Sequence, residues 1–88
     1  TAYYLRMRAY DKPGVLADIT RILADVEISI DAMMQKEPQE GEEHADIIML
    51  THVTREKHVN AAIGRIEKLP TIAGPVTRIR MEELNAKK

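Results

Sequence analysis

The 88-residue chain contains no cysteine, tryptophan or phenylalanine, and it has only three tyrosines. Without cysteine there can be no disulfide, no thiolate zinc site and no cysteine nucleophile. The lack of disulfides is compatible with a reducing compartment, and we expect a cytoplasmic protein. Three tyrosines are also few for a protein that would stack on the bases of single-stranded RNA.

The chain also lacks an excess of either charge and any long apolar run. Thirteen basic and fourteen acidic side chains give a formal net charge of −1, so there is no general attraction to nucleic acid or anionic lipid. No apolar run reaches the roughly 18 residues of a membrane helix, and no basic-then-apolar leader opens the chain. We expect one domain over residues 1–88, with a frayed tail at 82–88 and neither nucleic acid nor a membrane as partner. Because the chain begins at Thr1, we expect a fragment of a longer protein.

Hydrophobic periodicity divides the first half into strand, helix and strand. Residues 3–10 alternate, with the odd positions apolar, which predicts a half-buried strand. Residues 13–26 place their apolar side chains within an arc of roughly 120°, as in an amphipathic helix. Residues 28–35 alternate again, with Ile28, Ile30, Ala32 and Met34 forming the apolar set. Pro38 and Gly41 in the acidic run that follows indicate a hairpin loop.

The second half gives strand, helix and strand again. Residues 45–53 are apolar on both alternating sets, one including Val53 and the other Ile48 and Leu50. Both faces of this strand therefore need cover. Thr54 is the expected N-cap of a helix that ends at Leu69, before a proline. After a Gly-Pro bend, residues 76–81 alternate as a fourth strand.

The order β-α-β-β-α-β predicts an α+β fold of the ferredoxin-like type. Two helices should cover one face of a four-stranded antiparallel sheet. Right-handed crossovers give the strand order 4-1-3-2, with the first and third strands central. Tyr4, Arg6, Arg8, Arg78 and Arg80 share one parity and are expected on the other, open face, which is exposed or packs against a second copy or another domain.

The segment Asp11-Lys12-Pro13-Gly14-Val15-Leu16 joins the first strand to the first helix. Pro13 suits a first helical position because its φ is fixed and its missing N–H would be unpaired there. Gly14 has no Cβ to block a close approach. Free amides at a helix start attract a carboxylate, and Asp11 is a candidate acceptor for an ammonium group. The segment is thus a candidate amino-acid site.

This motif, followed by Ile28-Ser29-Ile30 at the second strand, resembles the ACT domain, a regulatory amino-acid-binding module of metabolic enzymes. A narrower resemblance, to the C-terminal ACT domain of bacterial homoserine dehydrogenases, is carried by residues 3–8, 11–16, 35–36, 51–52 and 79–82. It implies feedback control of the reduction of aspartate semialdehyde to homoserine, with L-threonine as effector. It also implies a non-catalytic domain without a cofactor of its own, attached to a parent enzyme that uses NAD(P).

The resemblance further implies where the effector binds. ACT domains commonly hold their ligand between two domains paired edge to edge, which implies a homodimer or a higher oligomer. Carried over by position, the effector-binding residues are Asp11, Lys12, Pro13, Gly14, Val15, Leu16, Ile28, Ser29 and Ile30. Two residues depart from the pattern: Glu27 stands where glycine is frequent, and Ser29 where asparagine is frequent. We expect Glu27 to require a different turn after the helix.

Several alternatives remain open for the same residues. Asp11 either caps the first helix or contacts the ligand, and Gly14 serves either ligand approach or tight loop packing. The domain is alternatively an interaction module without ligand or, less in keeping with its aliphatic third strand, an RNA-binding domain. No catalytic or metal-binding residues are expected, because the three histidines lack ligand-like spacing.

Overall fold

Six elements follow one another in the order that the sequence predicts. The structure, a computed structural model, describes residues 1–36, 38 and 40–82. The elements are β1 (Tyr3–Tyr10), α1 (Val15–Asp25), β2 (Ile30–Lys36), β3 (His44–Thr51), α2 (Glu56–Glu67) and β4 (Thr77–Arg80). Except for Glu82, the expected frayed tail lies outside the described residues. Neither helix has the length and apolar character needed to cross a membrane, and this holds for the described residues alone.

The four strands form one antiparallel sheet in the order β2-β3-β1-β4. This is the predicted order 4-1-3-2 counted from the other edge, so the predicted fold class is confirmed. Along the central pair, Tyr4 lies opposite Leu50 at one end and Tyr10 lies opposite His44 at the other. At the β2 edge the register is irregular between Ile30 and Ala32.

The core lies between the sheet and the two helices. The odd positions of β1 are buried, as predicted, and Leu5 and Met7 are at most 1% exposed. The apolar stripes of both helices join them in one cluster, to which α1 contributes Val15, Ile19, Ile22 and Leu23, and α2 contributes Val59, Ala62 and Ile66. Because both helices pack against this one face, no described helix covers the opposite face of the sheet.

The register of β4 against β1 shows that two residues predicted for the open face lie on the other face of the sheet. Arg78 lies opposite Leu5, and Arg80 lies opposite Tyr3. Directly opposite residues share a face, so both arginines lie on the helix side of the sheet. There Arg78 also donates a hydrogen bond to the side-chain oxygen of Asn60 in α2. Ile79 takes their place on the open face. The error arose because parity within one strand says nothing about its register against another.

Two predicted burial patterns are also wrong. Residues 31–36 of β2 are all exposed, because the helices do not extend over this edge strand. Strand β2 begins at Ile30, so Ile28 is a core residue before the strand rather than part of it. Val53 lies beyond the end of β3 and is 80% exposed. Alternation therefore located the strands correctly but did not show which of them the helices cover.

Both helix starts differ from expectation. The N-cap of α1 is Gly14, so Pro13 precedes the cap and does not occupy the first helical position. The N-cap of α2 is Arg55, and the N–H of Thr54 instead donates to the carbonyl of the first residue at 2.9 Å. Neither cap residue makes a side-chain hydrogen bond to its helix. The first-turn amides of α1 therefore have no side-chain partner at the cap.

Candidate functional site

The loop between β1 and α1 presents an exposed turn ahead of a buried helix. Residues 11–14 are exposed, whereas Val15 is 5% exposed and belongs to the core. The Val15 N–H points to the carbonyl of Lys12 at 3.4 Å, which closes the turn. Gly14 has φ 87°, a left-handed conformation that glycine adopts without steric cost. The turn geometry thus explains the glycine.

The space around Gly14 decides between the two roles considered for it. A Cβ built on this residue would have no heavy atom within 4 Å. Tight loop packing is therefore not the reason for the glycine. The same open space leaves the loop backbone accessible to a ligand.

Two backbone N–H groups that follow Gly14 lack a backbone hydrogen-bond acceptor in the described part of the chain. The first N–H of α1 that donates to a carbonyl four residues earlier is that of Asp18, which bonds to the Gly14 carbonyl at 3.0 Å. Among the described residues, the N–H groups of Leu16 and Ala17 have no backbone acceptor. Unpaired amides at the positive end of a helix dipole favour a negatively charged group.

Asp11 does not cap α1, so the capping alternative is wrong. Its side chain makes no cap hydrogen bond, and its N–H donates to the carbonyl of Glu43 at 3.0 Å. This bond ties the β1–α1 loop to the loop between β2 and β3. A ligand contact by the Asp11 carboxylate stays a prediction.

The two joined loops enclose a depression of about 350 Å³. It is lined by Tyr10, Asp11, Lys12, Pro38, Glu42 and Glu43. The Lys12 ammonium lies 5.4 Å from the centre of the Tyr10 ring, a cation–π distance. Three carboxylates against one ammonium make the depression suited to a positively charged group. In the part of the chain that the structure describes, no group of three or more potential ligand side chains is arranged to hold a metal ion.

The sequence reasoning missed Glu42 and Glu43 as site residues. Their only signal in the sequence is the acidic run of the hairpin loop, a pattern that is typical of solvent-exposed loops. The backbone bond from Asp11 to Glu43 brings them to the candidate site, and no sequence pattern indicates that pairing.

The second half of the predicted site follows α1 through a Schellman turn. The Ile28 N–H donates to the carbonyl of Leu23 at 2.9 Å, and the Glu27 N–H donates to that of Ala24 at 3.0 Å. Glu27 takes φ 60°, the left-handed conformation that glycine usually supplies. The prediction that Glu27 requires a different turn is therefore wrong.

Ser29 is exposed and immediately precedes β2. Its carbonyl accepts a hydrogen bond from the His52 N–H at 2.9 Å, which fixes the backbone. Its hydroxyl has no hydrogen-bond partner among the described residues. Of the two neighbours, Ile28 is 4% exposed and Ile30 packs partly against the core, so only Ser29 offers a free polar group here.

The two halves of the predicted site lie at opposite ends of the sheet. β1 ends at Tyr10, opposite His44, whereas β2 begins at Ile30, opposite Thr51. His44 and Thr51 are the two ends of the eight-residue strand β3, which spans ~23 Å. One chain therefore brings residues 11–16 together with each other but does not bring them to residues 28–30.

The family assignment rests on a match along most of the chain. The model of the ACT domain family matches residues 3–71. The chain belongs to the ACT domain family. The predicted resemblance is thereby confirmed.

This ACT domain matches only a part of several larger proteins. It is 72% identical over 85 residues to a homoserine dehydrogenase of Methylobacillus glycogenes, covering 97% of the chain and 21% of that relative. A homoserine dehydrogenase structure from Thiobacillus denitrificans superposes with a TM-score of 0.81 at 66% identity, over 91% of the chain and 17% of that protein. The ACT domain of a Chlorobium tepidum GTP pyrophosphokinase, at 14% identity and a TM-score of 0.69, covers 89% of the chain and 96% of that domain and shares the fold.

The chain thus spans about one fifth of the homoserine dehydrogenases that it matches.

Proposed function

We propose that this ACT domain is the regulatory part of a homoserine dehydrogenase and that L-threonine is its effector. The similarity to homoserine dehydrogenases over 97% of the chain supports the parent enzyme. In this proposal the rest of the polypeptide reduces aspartate semialdehyde to homoserine with NAD(P). The 88 residues contain no G-x-G-x-x-G motif, so the nicotinamide cofactor is assigned to the rest of the polypeptide.

The observation that carries the proposal is the separation of the two half-sites within one chain. Antiparallel pairing of two β2 edges places the beginning of β2 in one copy beside the end of β2 in the other. The loop that follows β2 lines the depression beside Asp11. Ser29 of one copy would then face the Asp11 loop of the other, and two-fold symmetry would create two equal sites.

The exposed edge of β2 supports such pairing. Met33 and Met34 are 45% and 58% exposed, and the strand lies at the edge of the sheet. An edge strand presents unpaired N–H and C=O groups that can join another strand. A second copy of β2 would satisfy these groups and cover apolar surface.

The polar groups of the two half-sites match those of an amino acid. The open amides of Leu16 and Ala17 would take the carboxylate, and Asp11 with the neighbouring glutamates would take the ammonium. The free hydroxyl of Ser29 would pair with the hydroxyl of threonine. An effector that bridges two domains favours one arrangement of them, and such coupling amounts to about 1 to 3 kcal/mol.

Calorimetric titration of the full-length polypeptide tests this proposal. L-threonine should bind saturably, and L-valine, which replaces the hydroxyl with a methyl group, should bind at least about tenfold more weakly. Ser29→Ala should remove most of that difference. The matched control is Thr77→Ala, which changes an exposed hydroxyl on β4, at the edge of the sheet opposite β2, and should leave that difference intact. Equal binding of both amino acids, or none of either, would refute threonine as the effector.

A further inference from the structure

The open face of the sheet is apolar over the half that contains Tyr4 and Leu50. Tyr4 lies between Leu50 on one side and Ile79 on the other, and Ile48 lies opposite Met34 on the neighbouring strands. An antiparallel sheet that faces water normally turns polar side chains outward. A contiguous apolar patch rimmed by polar residues instead indicates an interaction surface.

At the other end of the same face, a depression is lined by three cationic side chains and only two carboxylates. They are Arg6, Arg8 and Lys36 against Glu42 and Asp46. Arg8 and Lys36 both lie opposite Asp46, which sits between them on β3. Asp46 Oδ2 is engaged by Arg6 at 2.9 Å, whereas Arg8 Nε is 3.9 Å from Oδ1, beyond hydrogen-bond distance. The hydrogen bond and the charge of Asp46 raise the pKa of Arg6, so Asp46 is already paired. Among the described residues, the Arg8 guanidinium and the Lys36 ammonium have no hydrogen-bonded acid.

A second copy of the chain is a poor cover for this face. A two-fold axis parallel to the strands would place the cationic end of one sheet on the cationic end of the other. A two-fold axis across the strands would place the cationic end on the apolar half. The first arrangement is unfavourable because it places like charges opposite each other. The second is unfavourable because it removes water from arginine and lysine and places them against apolar side chains.

We propose that the open face docks on the rest of the same polypeptide. The docking surface would be apolar opposite Tyr4 and Leu50 and would carry carboxylates opposite Arg8 and Lys36. Homoserine dehydrogenases that match this chain are about five times its length, so a large surface adjoins the domain in such a protein. The inference rests on the proposed membership in a larger enzyme, but it does not depend on any effector.

Neighbouring methionines on β2 provide a matched test in the full-length polypeptide. Met34 faces the open side, opposite Ile48, whereas Met33 faces the helix side, opposite Met49. Both side chains are exposed in the chain alone, so either position tolerates cysteine. Thiol labelling without threonine should be about tenfold slower for Met34→Cys than for Met33→Cys, equivalent to about 1.4 kcal/mol of protection. Equal rates would overturn the proposal.

A charge-reversal arm tests the chemistry of the covering surface. Adding Arg8→Glu to Met34→Cys should restore fast labelling, whereas Arg21→Glu on the exposed side of α1 should not. Labelling unaffected by Arg8→Glu would overturn the acidic partner. Pairing of β2 edges affects both positions, so only a difference between Met34→Cys and Met33→Cys that grows with protein concentration would assign the cover to a second copy. Because no effector is present, absence of threonine binding would leave this test unchanged, and failure of this test would leave the effector proposal standing.

Discussion

The backbone N–H of Asp11 donates to the carbonyl of Glu43 at 3.0 Å and thereby joins two loops that lie more than thirty residues apart in the sequence. The bond holds the start of α1 beside the acidic loop between β2 and β3. As a result, the open amides of α1 and a group of carboxylates lie at the same end of the sheet. An amino acid carries the two charges that these groups would bind.

The acidic side of the depression leads to a prediction about effector affinity. Replacing Glu42 and Glu43 together by glutamine should weaken L-threonine binding about threefold to tenfold, because exposed charge pairs contribute up to about 1 kcal/mol each. Glu40→Gln is the control, since Glu40 belongs to the same loop but does not line the depression. Calorimetric titration of both variants measures the effect. A loss of affinity in the control equal to that of the double variant would argue against a direct role.

The left-handed turn at Gly14 predicts opposite effects for two glycine substitutions. Gly14→Ala should destabilise the protein by about 1 kcal/mol, because φ 87° is unfavourable for alanine although the space is open. Gly64→Ala, within α2 and equally free of neighbours, should stabilise it by about 0.5 to 1 kcal/mol. Urea unfolding of both variants compares their free energies. A change of the same sign in both would contradict the assignment of Gly14.

The Schellman turn after α1 predicts that Glu27 can be improved. Glu27→Gly should raise the free energy of unfolding by up to about 1 kcal/mol, because Glu27 holds φ 60°. Glu27→Ala removes the same side chain but keeps the Cβ, so it should bring no such gain. Thermal unfolding distinguishes the two variants. If alanine stabilised as much as glycine, the gain would come from removing the carboxylate and not from the backbone.

The sequence contained enough information for the fold but not for every face of it. Alternation in β1 and the apolar stripe of α1 predicted the core correctly, because both periods follow directly from backbone geometry. The same reasoning misplaced Arg78, because strand register depends on contacts between distant residues. It also treated β2 as half-buried, since alternation cannot show that an edge strand extends beyond its covering helices.

The candidate site was predictable only as two separate segments. The Asp11–Leu16 motif marked one half, and the glycine in it has the conformation of a left-handed turn. The contribution of Glu43 was not predictable, because it depends on a tertiary hydrogen bond between two loops. The sequence also could not show that Asp11 and Ser29 lie at opposite ends of one sheet, which is the observation behind the proposal that a second copy completes the site.

Mixed oligomers test the central claim, that each effector site combines the Asp11 loop of one copy with Ser29 of another. Full-length subunits carrying Asp11→Asn and subunits carrying Ser29→Ala should each bind L-threonine poorly when assembled alone. In a mixed dimer, one site receives both substitutions and the other receives neither. Calorimetry of the purified mixed dimer should therefore recover one site of wild-type affinity for every two subunits. A mixed dimer that binds as poorly as either parent would contradict a shared site.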